Sequence, residues 1–438
     1  MSSFIRQEKE ALSFFCILIA FIGLSSAVLA SGDGISAKIN GDVYAQPRVI
    51  GDIDGDGNKE IIFGATDGKI HIFSANGKEI FRPPYWPKQV DSPILSGVEV
   101  SDLSGNNNDL SIVTASMNGT VYCLDASGKT RWTYKTGGSI TNTTPVVTDL
   151  DGTGVKSVLV NSTSGKVFDL RLDGSNNQVY NMDYAVNGPP AVIDTDSDGK
   201  KNVIVKDASG KISVFNEKGV AISEWMAPSA NGVWAFNLDV RDVDGDGVPK
   251  IISTDPTPGG GVFNMWDANG NSLASFNLTD ASHGAPVVAD FDGDGKDDFI
   301  IAQADGKIVV CDKEGKVKKG WPYDSQLSVF SSPALIDIDG DGEKEIVFSG
   351  NSTSTTAKDE RTGCIIALDK HGKILSDYPK YIGKTFAPLT FADLDGDGCL
   401  EMIAMGGIGY TGPQLHIIKT EARTRISIAV IGQEVTYK

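Results

Sequence analysis

Eight times along this chain, at steps of about 49 residues, an apolar run breaks into an Asp-rich loop of the pattern D-x-D-x-D-G. The first Asp of each copy is Asp52, Asp102, Asp149, Asp194, Asp242, Asp290, Asp337 or Asp393. A fixed period means one supersecondary unit packed on copies of itself, so the length of 438 residues is no guide to domain number. The sixth unit shows the internal order. Residues 285–291 form a short apolar run into the loop, and Asp298 to Gln303 form a second run ended by Asp305-Gly306. Lys307 to Asp312 form a third, ended by Glu314-Gly315, and residues 316–322 a polar outer strand ending at Trp321-Pro322. Short β-rich runs punctuated by D-G, N-G and S-G turns are hairpin signals. No amphipathic helix of three turns is legible after residue 30.

Four strands repeated radially predict an all-β chain: a single β-propeller of four-stranded blades over residues 31–438. Eight copies imply eight blades, with seven and one aberrant copy as the alternative. A linear β-solenoid fits less well, because its coils are shorter than four sequential hairpin strands. Residues 421–438 match the repeat poorly. Residues 35–51 and 414–431 are expected to share the blade that closes the ring.

The loops read as chelators of a hard cation. Such a loop needs oxygens at positions 1, 3 and 5, a carbonyl at 7 and an acid further on, with Gly at 6 so that the backbone can turn with positive φ. Four copies meet every condition: Asp52, Asp54, Asp56, Asn58, Glu60; Asp290, Asp292, Asp294, Lys296, Asp298; Asp337, Asp339, Asp341, Glu343, Glu345; and Asp393, Asp395, Asp397, Cys399, Glu401. The fourth copy (Asp194, Asp196, Asp198, Lys200) places Asn202 at position 9. The fifth (Asp242, Asp244, Asp246, Val248) places Lys250 there, whose ammonium either weakens a cation site or replaces its charge. The third copy (Asp149, Asp151, Thr153, Ser157) has lost two acids, and the second (Asp102, Ser104, Asn106, Asn108) has lost its Gly. Two carboxylates about 4 Å apart repel by about 1 kcal/mol in water and about 4 kcal/mol at intermediate dielectric, so an acid-complete loop is costly without a cation. The expectation is Ca2+ in four to six loops. EF-hands share the early ligands but need flanking helices and Glu at position 12, whereas here a β run such as Ile61-Ile62-Phe63 follows.

The formal charge of −18 argues against nucleic acid and anionic membrane as partners, and bound cations would offset part of it. Residues 1–30 read as an export signal: Arg6 and Lys9, an apolar run from Phe14 to Leu24, then Val28-Leu29-Ala30 as a cleavage site. The stretch from Ala11 to Ala30 is also long enough to span a bilayer, so an uncleaved anchor is the alternative and the one route to membrane attachment. Cys123, Cys311, Cys364 and Cys399 form no C-x-x-C pair and read as buried free thiols.

With these loops in view, residues 45–420 resemble the FG-GAP and VCBS repeat family, whose best-known members form the N-terminal propeller of integrin α chains. The resemblance implies a calcium loop between the first and second strands of each blade, on the face opposite the usual ligand face. Literal Phe63-Gly64 and Gly284-Ala-Pro286 pairs are sparse, and blades are shorter than in integrins. Residues 119–133 are also locally similar to quinoprotein-type blades.

Strand alternation places three longer second-to-third turns, Asp255 to Gly261, Asn351 to Gly363 and Gly406 to Pro413, on the face away from the Asp loops. Tyr44, Trp234, His283 and Phe330 join them in the links between blades; packing of the inter-blade core is the alternative role for each. Trp86-Pro87, Trp321-Pro322 and Tyr378-Pro379 recur at equivalent positions and read as blade-edge packing. Only four His occur, with His71 and His416 in one structural strand position, and G-x-S-x-G, H-E-x-x-H and phosphate loops are absent. The chain is therefore expected to be no enzyme but an exported calcium-binding module for adhesion to, or binding of, an extracellular protein or glycan. It would be secreted or at the cell surface, or periplasmic in a Gram-negative source. A polysaccharide-acting or quinoprotein-type enzyme and a structural surface-layer component are the alternatives.

Overall fold

A computed structural model describes residues 28–31, 34–104, 109–141, 143–228, 238–243, 245–353, 360–409, 412–423, 428–430 and 433–435. They form eight antiparallel sheets arranged as an eight-bladed propeller, which removes the seven-bladed alternative. Blade one runs from its inner strand Arg48–Ile50 through Glu60–Gly64 and Lys69–Phe73 to the outer Lys88–Gln89. The same order recurs from the inner strands Glu99–Asp102, Val146–Thr148, Ala191–Ile193, Leu238–Arg241, Val287–Ala289 and Ala334–Ile336. Inner strands of neighbouring blades lie side by side around the axis.

Burial explains the sequence pattern. The second and third strands of a blade are sandwiched between neighbouring blades, so both their faces are apolar: Glu60–Gly64 and Asp298–Ala302 are buried at every position. The core is thus a ring of wedges between blades rather than one centre. One wedge joins Ile300 and Val310 of blade six to Ile346 and Ile366 of blade seven. Outer strands alternate, as in Ala221–Met226, because one face meets water. Gly284 of the Gly-Ala-Pro triplet sits where blades six and seven nearly touch; a Cβ there would lie within 2.5 Å of Ser332 Cα.

The ring closes by sharing a blade between the two terminal segments, but only through Gly34–Lys38 and Gln414–Arg423, since Arg48–Ile50 begins blade one. Blade eight takes Thr390–Ala392, Cys399–Gly406 and Gln414–Arg423 from the C-terminal end, and Gly34–Lys38 supplies its fourth strand through pairs from Gly34↔Ile418 to Lys38↔Gln414. Val28–Ser31 adds a further strand on Gly34–Lys38. Residues 1–27 of the expected leader lie outside the described residues. The poorly matching tail has its own path: Glu421 N donates to Ile338 O at 3.2 Å, and Ile428–Val430 then pairs with the inner strand of blade seven at Leu335↔Ala429.

Two local expectations need correction. Residues Asp255 to Gly261 are not an irregular loop, because Lys250–Thr257 and Gly260–Trp266 continue pairing to Thr257↔Gly260. The Trp-Pro dipeptides do not end the outer strand but interrupt it. In blade six Val317 bridges Cys311 before Trp321-Pro322, and Tyr323 pairs with Ile308 after it. Trp86 and Trp321 are buried in inter-blade wedges, so their packing role holds. Cys123, Cys311, Cys364 and Cys399 are free thiols, the first three buried. The one described helix is the 3-10 turn Glu360–Thr362, and no described helix is long and apolar enough to cross a membrane.

Candidate metal sites and the opposite face

Among the described residues each Asp loop joins an inner strand to a second strand, which puts these loops on one face of the disc. Within a loop the carboxylates fold the backbone around themselves. Asp52 accepts from Gly55 N at 2.6 Å and Gly57 N at 2.9 Å, Asp54 from Asp56 N at 3.1 Å, and Asp56 from Asn58 N at 2.8 Å. Gly57 holds φ at 91°, as position 6 requires. Asp393 accepts likewise from Gly396 N and Gly398 N, and Asp194 from Ser197 N and Gly199 N. Neighbouring loops are also tied together: Lys59 N donates to Leu394 O, and Lys201 N to Leu150 O, each at 2.8 Å.

In loops one, four, seven and eight the position-9 residue closes the loop from below. One oxygen of Glu60, Glu345 or Glu401 accepts the position-2 N–H of Ile53, Ile338 or Leu394 at 2.7, 2.9 and 2.9 Å. Asn202 does the same for Thr195 N at 2.9 Å. Glu60 Oε1 and Asp337 Oδ1 are then left buried with no protein partner. Orphaned buried carboxylate oxygens are expensive unless a cation or donor meets them. Ligand atoms converge within 4.8 Å in five loops: Asp52, Asp54, Asp56, Glu60; Asp194, Asp196, Asp198; Asp290, Asp292, Asp294; Asp337, Asp339, Glu345; and Asp393, Asp395, Glu401. Burial, then the charges of neighbouring Asp residues, pushes Glu60 up to about 7 and Glu345 up to about 8. The donor set, all hard oxygen, fits a metal such as Ca2+.

Residues 259–348 match the FG-GAP-like repeat family profile. The match covers the sixth and seventh Asp loops. Residues 83–155 separately match the lambda-carrageenase β-propeller domain. Among solved structures, the fold is similar to BamB from Moraxella catarrhalis (17% identity, 90% of this chain and 98% of that one, TM-score 0.55). It is also similar to the V. cholerae biofilm matrix protein Bap1 (13% identity, 90% and 91% covered, TM-score 0.59). The computationally designed Ika8 protein matches too (14% identity, 87% and 98% covered, TM-score 0.55). At these identities the likeness is one of fold. No curated protein matches the sequence.

Two Asp loops differ from the rest. In the fifth, Lys250 Nζ lies 3.0 Å from both oxygens of Asp246 and 2.7 Å from Val248 O. Asp244 of that loop lies outside the described residues. In the sixth, the ammonium of Lys318 reaches Asp292 at 2.7 Å, Asp294 at 3.2 Å and Asp298 at 2.8 Å. Lys318 escaped the sequence reading because it lies 20 residues beyond position 9, on the far hairpin. In the decayed third loop Thr153 donates to Asp151 at 2.7 Å, and Asn106 and Asn108 of the second lie outside the described residues.

On the opposite face the blade links bring aromatic rings together. Tyr44 stacks on Phe386 (5.6 Å between centroids), Phe386 meets Phe330 edge-on (5.0 Å), and Phe330 stacks on His283 (5.0 Å). Lys384 Nζ stands 5.1 Å over the Phe386 ring. Phe330 is 37% exposed and the other rings are half-buried. Burial holds His283 below its usual range, which favours the neutral imidazole. Phe386 was the member not singled out from sequence, although it lies seven residues before Asp393, as His283 does before Asp290 and Phe330 before Asp337. Trp234 lies outside the described residues.

Proposed function

We propose that this protein is an exported, calcium-loaded propeller that binds an extracellular protein or glycan on the face opposite its Asp loops, and that it works by adhesion rather than turnover. The observation that carries this reading is the aromatic arc Tyr44–Phe386–Phe330–His283. Four links from consecutive blades of the closed ring contribute one ring each, giving a rigid, partly solvated apolar rim with a cation at Lys384. Aromatic groups with an exposed edge and low side-chain entropy suit both protein and sugar partners. Calcium is supported by the converging carboxylates and by the orphaned oxygens of Glu60 and Asp337. Export, to the cell surface or outside it, is supported by the apolar run from Phe14 to Leu24.

The test is a pulldown and glycan-binding screen with calcium-loaded protein and a Phe330→Ala/Phe386→Ala double variant. Binding lost in the variant, with the melting temperature kept, supports the reading. Equal binding by both proteins removes the arc from it.

One observation favours a second reading, a polysaccharide-acting enzyme: residues 83–155 match the propeller domain of a lambda-carrageenase. Release of new reducing ends from lambda-carrageenan by the purified protein would establish it in place of the first.

A further inference from the structure

We infer that Lys250 and Lys318 are the resident counter-ions of loops five and six, so that calcium occupies loops one, four, seven and eight and is shut out of these two. The count of four rests on the calcium reading above. The assignment of the two ammonium groups stands on geometry alone.

In loop five the lysine is the position-9 residue itself. An ammonium has three N–H groups, and Lys250 spends them on two Asp246 oxygens and the Val248 carbonyl, the ligands expected at positions 5 and 7. Its side chain is 7% exposed and that of Asp246 49%, so the ammonium is buried while its carboxylate partner stays half in water. Exchanging the Glu of loops one, seven and eight for Lys changes the charge of the loop by two. The formal charge of the loop falls from −4 to −2, and the ammonium already holds the position-5 and position-7 oxygens a divalent ion would take.

Loop six reaches the same end from a different strand. Lys318 N donates to Val310 O at 2.8 Å, as Ile80 N donates to Ile72 O at 2.8 Å in blade one and Leu375 N to Ala367 O at 3.0 Å in blade seven. These three residues are therefore equivalent. Ile80 is buried in the wedge between blades one and two, and Leu375 packs against the core beside blade seven. Blade eight has Ile35, opposite Ile417, at the same place. Only in blade six, among these, is the residue a lysine, whose stem replaces the apolar side chain while its head reaches the loop. There it donates to positions 3 and 5 at 2.7 and 3.2 Å and forms an ion pair with position 9 at 2.8 Å, where the Asp298 oxygens are buried without a hydrogen-bond partner. A calcium ion would need those oxygens about 2.3–2.6 Å from its own centre. The two cations compete for one place, and the tethered one is always present.

Loops seven, eight and one are consecutive around the seam where Gly34–Lys38 closes the ring, so calcium is concentrated at the closure. Blades five and six keep their loops folded without it.

The experiment counts calcium per chain by native mass spectrometry and elemental analysis for wild type, Lys318→Leu and Lys250→Glu. Four ions in wild type, and five in each variant, are expected. Five or six ions in wild type, or an unchanged count in both variants, overturns the inference. Amine labelling of the wild-type protein covers the case of a variant that does not fold. Lys250 and Lys318 should stay protected, with and without calcium, while exposed lysines react. Labelling that rises on adding calcium would show displacement and overturn the inference. No calcium bound to wild type, with both lysines protected, removes the calcium reading and leaves the ammonium assignment standing.

Discussion

Ser36 Oγ and His416 Nδ1 lie 2.9 Å apart, directly opposite one another in the strand pair that closes the ring. His71 holds the equivalent strand position in blade one, yet the two rings are shifted in opposite directions. Burial pulls His71 down too, but hydrogen bonds to Asp67 and Glu79 outweigh it and leave its pKa raised. His416 has no carboxylate among its bonded partners, and burial pushes it down to about 4. A base with a depressed folded pKa stabilises above its unfolded value near 6.5, and that contribution is lost as pH falls towards 4. About 3 kcal/mol is therefore expected to vanish from the seam between pH 6.5 and 4. Melting of wild type and His416→Gln across that range checks this. The variant should lose less stability, and parallel curves would refute it.

Removing calcium should lower the melting temperature, and adding it back should restore it. Each site held at a hundredfold excess over its Kd contributes about 2.7 kcal/mol. Asp339→Ala, in acid-complete loop seven, is expected to cost about 2 kcal/mol at saturating calcium, and Asp151→Ala under about 0.5 kcal/mol. An unchanged melt in chelator, or equal costs for the two variants, would contradict the reading.

The ion pair of Lys206 with Asp255 joins blades four and five, with side chains 2% and 0% exposed. Ser253 Oγ donates to the second Asp255 oxygen at 2.6 Å. Lys206→Met leaves a buried carboxylate unpaired and should cost about 3–5 kcal/mol. The double variant Lys206→Met/Asp255→Leu should recover most of that. Denaturant unfolding of the full cycle measures the coupling, and additive losses would show that the pair acts as two separate groups.

Gly284→Ala should destabilise by about 1–3 kcal/mol, because its Cβ would enter the Ser332 backbone rather than a yielding side chain. Gly295→Ala would meet no neighbouring atom and is strained only through its φ of 83°. Both variants lie in blade six, so chemical denaturation separates steric overlap from backbone conformation. Restoration by Ser332→Gly would argue against a clash with the main chain.

Much of the fold is legible in the residues because it is local and repeated. An Asp loop, a D-G turn and a run buried on both faces each carry their signature within ten residues. The candidate ligands were legible for the same reason, since positions 1 to 9 belong to one loop. The hairpin at Asp255 was misjudged because Pro256 and Gly259 to Gly261 carry turn signals that strand pairing overrode.

What the sequence by itself determined is the repeat, its strand count and the oxygen-rich loops, because these depend on spacings shorter than a blade. What only the tertiary structure decided is which charges meet. Lys318 enters a loop from another hairpin, and Lys206 crosses to Asp255 in the next blade. Phe386 touches Tyr44 across 342 positions of chain through ring closure. Coulombic and stacking contacts act over a few ångströms of space, and a closed ring makes neighbours of residues that no sequence window contains.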